Sequence, residues 1–344
     1  MIPPSTTQQP VVRKSPALAD APLCVHLGLQ KTATTMLQDF LFSNHSQLYP
    51  LGKFNIPDQQ DFPDRFVRAF IDSVISGDKE FPNWAKTEFR QTIQRAATSG
   101  KTSIFSKEGW CGLSDIKRKR LTDQLHKVTD RCRVLLTIRE PISFVESLYF
   151  QRLKSFNRDQ FQYLRALFGQ PPKYFNINQW LQKLFESSKI DGMLLNKLRY
   201  ADTAEYYASV FGKDRVKVLA FEQLISSPKQ FIGELSSFLE IDPEEAFSLS
   251  QNKRANDRWT EESIKRLTRL QNSFVRRWIF RRRDEEGRMR MLGVDENSQA
   301  ASSTKPKAEI NDQFREMILN ITREQSRRIE EVWGLPLSQY GYDC

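Results

Sequence analysis

Residues 23–42, LCVHLGLQKTATTMLQDFLF, read as strand, loop and helix. Residues 23–28 are a short apolar run of strand length that ends in glycine. After it, Met36, Leu37, Phe40 and Leu41 recur at helical spacing. The same order repeats along the chain. Residues 102–105 predict a strand followed by a polar helical stretch to about Asp130. Residues 132–138, CRVLLTI, give the strongest strand pattern and lead into PISFVESLYFQRLK as a helix. Residues 215–221, RVKVLAF, lead into PKQFIGELSSFLE. Strands alternating with helices predict a doubly wound α/β fold, a mostly parallel sheet covered on both faces. Helical insertions are expected at roughly 60–100, 155–210 and 245–283.

The composition is that of a globular chain: 344 residues, 39% hydrophobic and 27% charged, with 24 Phe and 6 Trp. Residues 1–20, rich in Pro, Ser, Thr and Gln, read as a disordered lead-in, and 21–344 as one domain. The polar stretch 284–308 reads as a flexible loop. A final amphipathic helix follows, with Ile310, Phe314, Ile318 and Ile321 on one face. No run of about 18 apolar residues is present to span a membrane, and the first residues lack the apolar core of a secretory signal. The 4 cysteines and 3 histidines stand far apart, with neither zinc spacing nor a disulfide framework. A reducing cytoplasm is the expected compartment. Lys and Arg number 52 against 42 acids, a net charge of +10. That excess favours an anionic ligand without choosing among nucleotide, acidic glycan, nucleic acid and membrane surface.

The loop 28–35, GLQKTATT, is the first candidate site. A helix that starts at the carboxyl end of a parallel strand presents free N–H groups and partial positive charge to an anion. Lys31 adds a full charge, and Thr32, Thr34 and Thr35 add hydroxyls. A nucleotide-triphosphate loop, G-x-x-x-x-G-K-[ST], would need glycine and lysine where Ala33 and Thr34 stand. A dinucleotide fingerprint fails at Gln30. The plain alternative is a threonine-rich helix start with an incidental lysine. A second candidate follows the strand 132–138. Arg139 can offer a planar fork to phosphate oxygens, Pro141 suits a first helical turn, and Ser143 and Ser147 lie along that helix. Here the plain alternatives are a Ser143–Glu146 capping box and an Arg139 surface ion pair.

Together, HLGLQKTATTMLQ and RVLLTIREPISFVESLY resemble the sulfotransferases that use 3′-phosphoadenosine 5′-phosphosulfate (PAPS). LAFEQLISSPKQFIGELSSFLEI and the final YGY extend the resemblance over about residues 23–342. It implies a P-loop-like sulfotransferase fold and transfer of a sulfuryl group from PAPS to a hydroxyl or amine, with no metal. By the same resemblance, Lys31 stabilises the phosphate oxygen from which sulfate departs. Gln30, Thr32, Ala33, Thr34 and Thr35 surround the 5′-phosphate, and Arg139 and Ser147 hold the 3′-phosphate. Ala33 replaces the family's common glycine, Met36 stands where many members carry a stacking Trp, and Phe221 replaces a Tyr. Met36 and Phe221 are thus left to pack on the adenine.

Many cytosolic members carry a catalytic His after the second strand, and here that position offers Glu108, with Lys107 as a helper. A solvated Lys-Glu pair is the plain alternative. His26 reads as a packed histidine, and His45 and His126 are weaker candidates for the base. Lys253 and Arg254, in QNKRANDRW, correspond to a basic loop over the cofactor, or to a solvated helix start. The Arg-rich helix 263–283 carries Ile264, Leu267, Leu270, Phe274 and Trp278 as one stripe. It reads as core packing, with a glycan-binding wall or a peripheral membrane contact as alternatives. No motif identifies the acceptor, and an anionic glycan is one candidate. Two other function classes compete: a P-loop nucleotide kinase, and a non-enzymatic basic protein that binds nucleic acid or a membrane surface.

Overall fold

The computed structural model describes residues 21–53, 65–154, 176–186, 193–251 and 308–344. Among them five strands form one parallel sheet: β1 (Leu23–His26), β2 (Leu48–Lys53), β3 (Thr102–Ser106), β4 (Cys132–Ile138) and β5 (Val216–Ala220). Their order is β2-β3-β1-β4-β5. The expected doubly wound α/β fold is present. Alternation along the strands builds two cores. Leu23, Val25, Phe105, Val134, Leu136 and Val218 face one, and Cys24, Ile104, Leu135 and Leu219 face the other. Both faces are therefore dry, as the continuous apolar runs required.

The sequence reading missed β2, whose LYPLGK carries both Pro and Gly. It lies at the sheet edge, where the missing N–H of Pro50 is tolerated, and its register with β3 shifts between Pro50 and Lys53. The helix after β1 also differs from expectation. Only Thr34–Met36 is α-helical (α1), and the chain continues as a π-helix over Leu37–Phe42.

The first expected insertion holds α2 (Arg65–Ile75) and α3 (Asn83–Thr98). Phe70 packs edge-on to Phe89 and Phe105, and Trp110 lies against Phe105. Then come α4 (Asp115–His126) and α5 (Pro141–Lys154). Further helices cover Ile177–Glu186, Met193–Leu198 and Tyr200–Phe211, within the second insertion, and Pro243–Ser250 at the start of the third. The expected final helix spans Asp312–Trp333. Phe314 and Ile318 are buried on it, Ile321 is half-buried, and Ile310 precedes it. The lead-in 1–20, residues 284–307 of the expected loop, Lys253, Arg254 and the 263–283 helix lie outside the described residues. No helix among the described residues is long and apolar enough to cross a membrane.

The strand order fixes where a ligand can sit. From β1 the chain crosses to β2 and β3 on one side, and from β4 it goes to β5 on the other. The crevice between β1 and β4, at their carboxyl ends, is the switch point at which open α/β sheets bind ligands. Both sequence-predicted loops emerge there.

Candidate functional site

The chain stays paired with β4 beyond β1, through Leu27 N–H to Leu135 O at 2.8 Å and Leu29 N–H to Thr137 O at 3.0 Å. The free loop thus begins at Gln30. Lys31 (φ 67°) and Ala33 (φ 59°) are left-handed, and Thr32 between them is not. Such alternation turns successive N–H groups into one anion-binding concavity. For residues with a Cβ the left-handed region costs roughly 1 kcal/mol each, so Lys31 and Ala33 both carry backbone strain in this loop. Strain of this kind concentrates where a backbone shape is functional. Gly28 is required for another reason. A Cβ there would collide with Thr34 Cγ2 and lie 2.9 Å from both His26 Nε2 and Thr137 Oγ1.

Beneath the loop runs a buried polar row. The Gln38 amide donates to Ser106 Oγ (2.8 Å), His26 Nδ1 lies 2.8 Å from Ser106 Oγ, and His26 Nε2 lies 3.1 Å from Thr137 Oγ1. Thr137 and Thr32 hydroxyls are 2.8 Å apart, and Thr32 donates to Leu29 O at 2.6 Å. These contacts fix every hydrogen. Thr32 spends its own on Leu29, so Thr137 must donate to Thr32 and accept from His26 Nε2–H. His26 Nδ1 then accepts from Ser106. The opposite tautomer would leave the Thr32–Thr137 contact without a hydrogen. Sequence reasoning identified His26 as packed but missed the row. Its signal was present: in β1, β3 and β4 the residue facing one side changes from Cys24, Ile104 and Leu135 to His26, Ser106 and Thr137 two positions on.

Burial pushes the His26 imidazole down from 6.5 to about 3. Between those values the unfolded chain binds a proton that the folded chain refuses. Stability therefore falls as pH drops from 6.5 towards 3, by up to about 1.4 kcal/mol per unit from this group. Urea unfolding between pH 7 and 5.5, above most carboxylate titrations, should show the slope. His26→Gln should flatten it, and an equal slope in that variant would exclude His26 as the cause.

The predicted hydroxyls divide into two kinds. Thr32 is committed to the row. Thr34 donates to Glu108 Oε1 at 2.8 Å. Thr35 and Ser147 are half-buried and make no side-chain hydrogen bond to the described residues. Glu108 is joined to the loop helix itself, and it also stands beside Lys107. Its Oε2 has no hydrogen bond among the described residues. The next residues are fastened to the same loop, Gly109 N–H to Gly28 O at 2.9 Å and Cys111 Sγ to Gly28 O at 3.7 Å. The Lys107 N–H donates to His26 O at 3.0 Å, and burial lowers the pKa of its ammonium while the charge of Glu108 opposes that.

A further cation went unpredicted. Lys197, from the helix Met193–Leu198, is buried, and its Nζ donates to Gln30 Oε1 at 2.8 Å. Burial pushes the Cys111 thiol up to about 12, with Lys197 lowering it and Glu108 raising it, so both charges act on one small region. Its only signal was a lysine inside the apolar MLLNKL.

At the end of β4, Arg139 is buried. Its Nη1 donates to Lys31 O at 3.0 Å, and its guanidinium lies 4.9 Å from the Phe221 ring centre. The two predicted sites therefore touch. Three expectations are corrected here. The first turn of α5 is capped by Glu140, which accepts from Ile142 N–H (2.9 Å) and Ser143 N–H (2.7 Å), and not by a Ser143–Glu146 box. Met36 is buried in the core and is not left to stack on a base. His45 spends both ring nitrogens on Gln47 N–H and Asp242 O, so it is a structural latch. His126 packs on Phe211 at 5.1 Å.

The arrangement offers donors to an anion: a loop with two left-handed residues, a guanidinium bonded to the Lys31 backbone carbonyl 108 positions away, and two hydroxyls uncommitted among the described residues. Among the described residues no group of three His, Cys, Asp or Glu could hold a metal ion. No protein-family model matches the chain. No curated protein matches it in sequence. Among solved structures it is similar to a sulfotransferase from Alicyclobacillus acidocaldarius, with 14% identity and a TM-score of 0.50 over 93% of this chain and 98% of that one. It is also similar to the sulfotransferase domain of the Synechococcus PCC 7002 olefin synthase, with 16% identity and a TM-score of 0.38 over 68% and 78%.

Proposed function

On a chain with the sulfotransferase fold, we propose transfer of a sulfuryl group from PAPS to a hydroxyl or amine acceptor. The observation that carries this reading is the bond from Arg139 to the Lys31 carbonyl. It joins two cationic positions across the β1–β4 crevice. One phosphate needs only one of them, whereas a nucleotide phosphorylated at both ends of its ribose uses both.

The donor supplies an activated sulfuryl group on a phosphate leaving group. The loop N–H groups and Thr35 hold the 5′ end, and Lys31 stabilises the leaving oxygen as it becomes negative. Arg139 and Ser147 hold the 3′-phosphate, with Phe221 as a backing for the guanidinium. Because Glu140 already caps α5, side chains rather than the helix end carry this second site. Glu108, held by Thr34 through one oxygen, takes the acceptor's proton with the other. Lys197 keeps Gln30 in place and adds positive charge on the Glu108 side of the loop. Sulfuryl transfer, like phosphoryl transfer, is accelerated mainly by such positioning and charge, and this set supplies both without a metal. The acceptor is proposed to be a hydroxylated molecule, with carbohydrates, anionic glycans among them, as the first class to screen.

Calorimetry tests the reading. Adenosine 3′,5′-bisphosphate should bind roughly 10- to 100-fold tighter than AMP, the worth of one charge-assisted bond. Equal affinities would overturn it, and tight magnesium-dependent ATP binding would favour a nucleotide kinase.

A further inference from the structure

We infer that Tyr342 is a positioning residue for the 3′-phosphate site, setting through Glu222 the preference for a bisphosphate over a monophosphate. This rests on the reading above.

The contacts form one path. Tyr342 Oη–H donates to Glu222 Oε2 at 3.0 Å, and Glu222 Oε1 accepts the Glu140 N–H at 3.1 Å. Glu140 turns its own carboxylate onto the first N–H groups of α5. Glu222 and its neighbour Phe221 thus grip the Arg139–Glu140 turn at two points, a carboxylate on the peptide N–H and a ring on the guanidinium. Both oxygens of Glu222 are used, so losing either donor frees the carboxylate to rotate. The turn that aims Arg139 would then lose one of its supports.

Tyr342 is held by contacts to Tyr200 and to its own C-terminal segment. It is 4% exposed, packs edge-on to Tyr200 at 6.5 Å, and donates its N–H to Leu337 O at 3.2 Å. Next to it, Asp343 accepts from Arg323 at 2.7 Å. The hydroxyl is therefore a fixed point to which Glu222 is tied. Glu222 is half-buried, and burial raises its carboxyl while the Tyr342 bond opposes that. A half-buried carboxylate held by two directional donors is an effective way to fix a turn.

The test measures the ratio of bisphosphate to AMP affinity, with the melting temperature, on four proteins. Tyr342→Phe keeps the ring and should lower the ratio about 5-fold, the scale of one hydrogen bond, while AMP affinity stays near wild type. Glu222→Gln should lower it similarly. The double variant should be no worse than either single, because both break one path. Asp343→Asn breaks only an exposed ion pair in the same segment and should leave the ratio unchanged. An unchanged ratio in Tyr342→Phe, or additive losses in the double variant, would overturn the inference and spare the functional reading. A wild-type ratio near one would overturn both. Should Tyr342→Phe fail to fold, an unchanged ratio in Glu222→Gln is by itself decisive against it.

Discussion

Glu108→Gln should bind adenosine 3′,5′-bisphosphate as the wild type does and transfer sulfuryl roughly 10²–10⁴-fold more slowly, the range for losing a general base. The amide oxygen of glutamine can still accept from Thr34, so the loop keeps its shape. What disappears is the second oxygen's ability to take a proton. Single-turnover assays on bound donor would separate that loss from binding. Near-normal turnover would reduce Glu108 to an anchor for Thr34, and His45 could not replace it because both its nitrogens are spent.

Arg139→Ala is the second large effect. Bisphosphate binding should weaken roughly 10- to 100-fold, the cost of a charge-assisted bond to phosphate. AMP should lose far less, through the missing bond to the Lys31 carbonyl alone. Arg139→Lys separates charge from shape: it restores a cation without the planar fork that reaches both phosphate and carbonyl, and should recover only part of the loss. Equal weakening of both nucleotides would assign Arg139 to the loop rather than to a 3′-phosphate.

Four of the five strands, the loop and Arg139 were legible because each is a local pattern. An apolar run of strand length, then a glycine or a proline, then helical spacing is enough. β2 was not, because an edge strand may carry the Pro50 and Gly52 that argue against a strand elsewhere. Glu108 was legible as a position after β3, but its bond to Thr34 joins residues 74 apart. Lys197 reaches Gln30 across 167 positions and Tyr342 reaches Glu222 across 120. No periodicity records such pairings, which arise only when the sheet brings the elements together. The π-helix was equally hidden, since Met36, Leu37, Phe40 and Leu41 suit either winding.

The row under the loop has an end that can only donate, the Gln38 amide nitrogen, and an end that can only accept, the Leu29 carbonyl. A chain of hydroxyls closed in this way has a single ground arrangement. It cannot reverse, and it cannot pass a proton on, because the last acceptor is an amide oxygen. Each donor in it points onward from Gln38 to the Leu29 carbonyl, one residue before the free loop. On the proposed reading, an anion in the loop meets a row that has nothing left to rearrange. Water in the same place would reorient with every ligand that came and went, whereas this row is set once, when the chain folds.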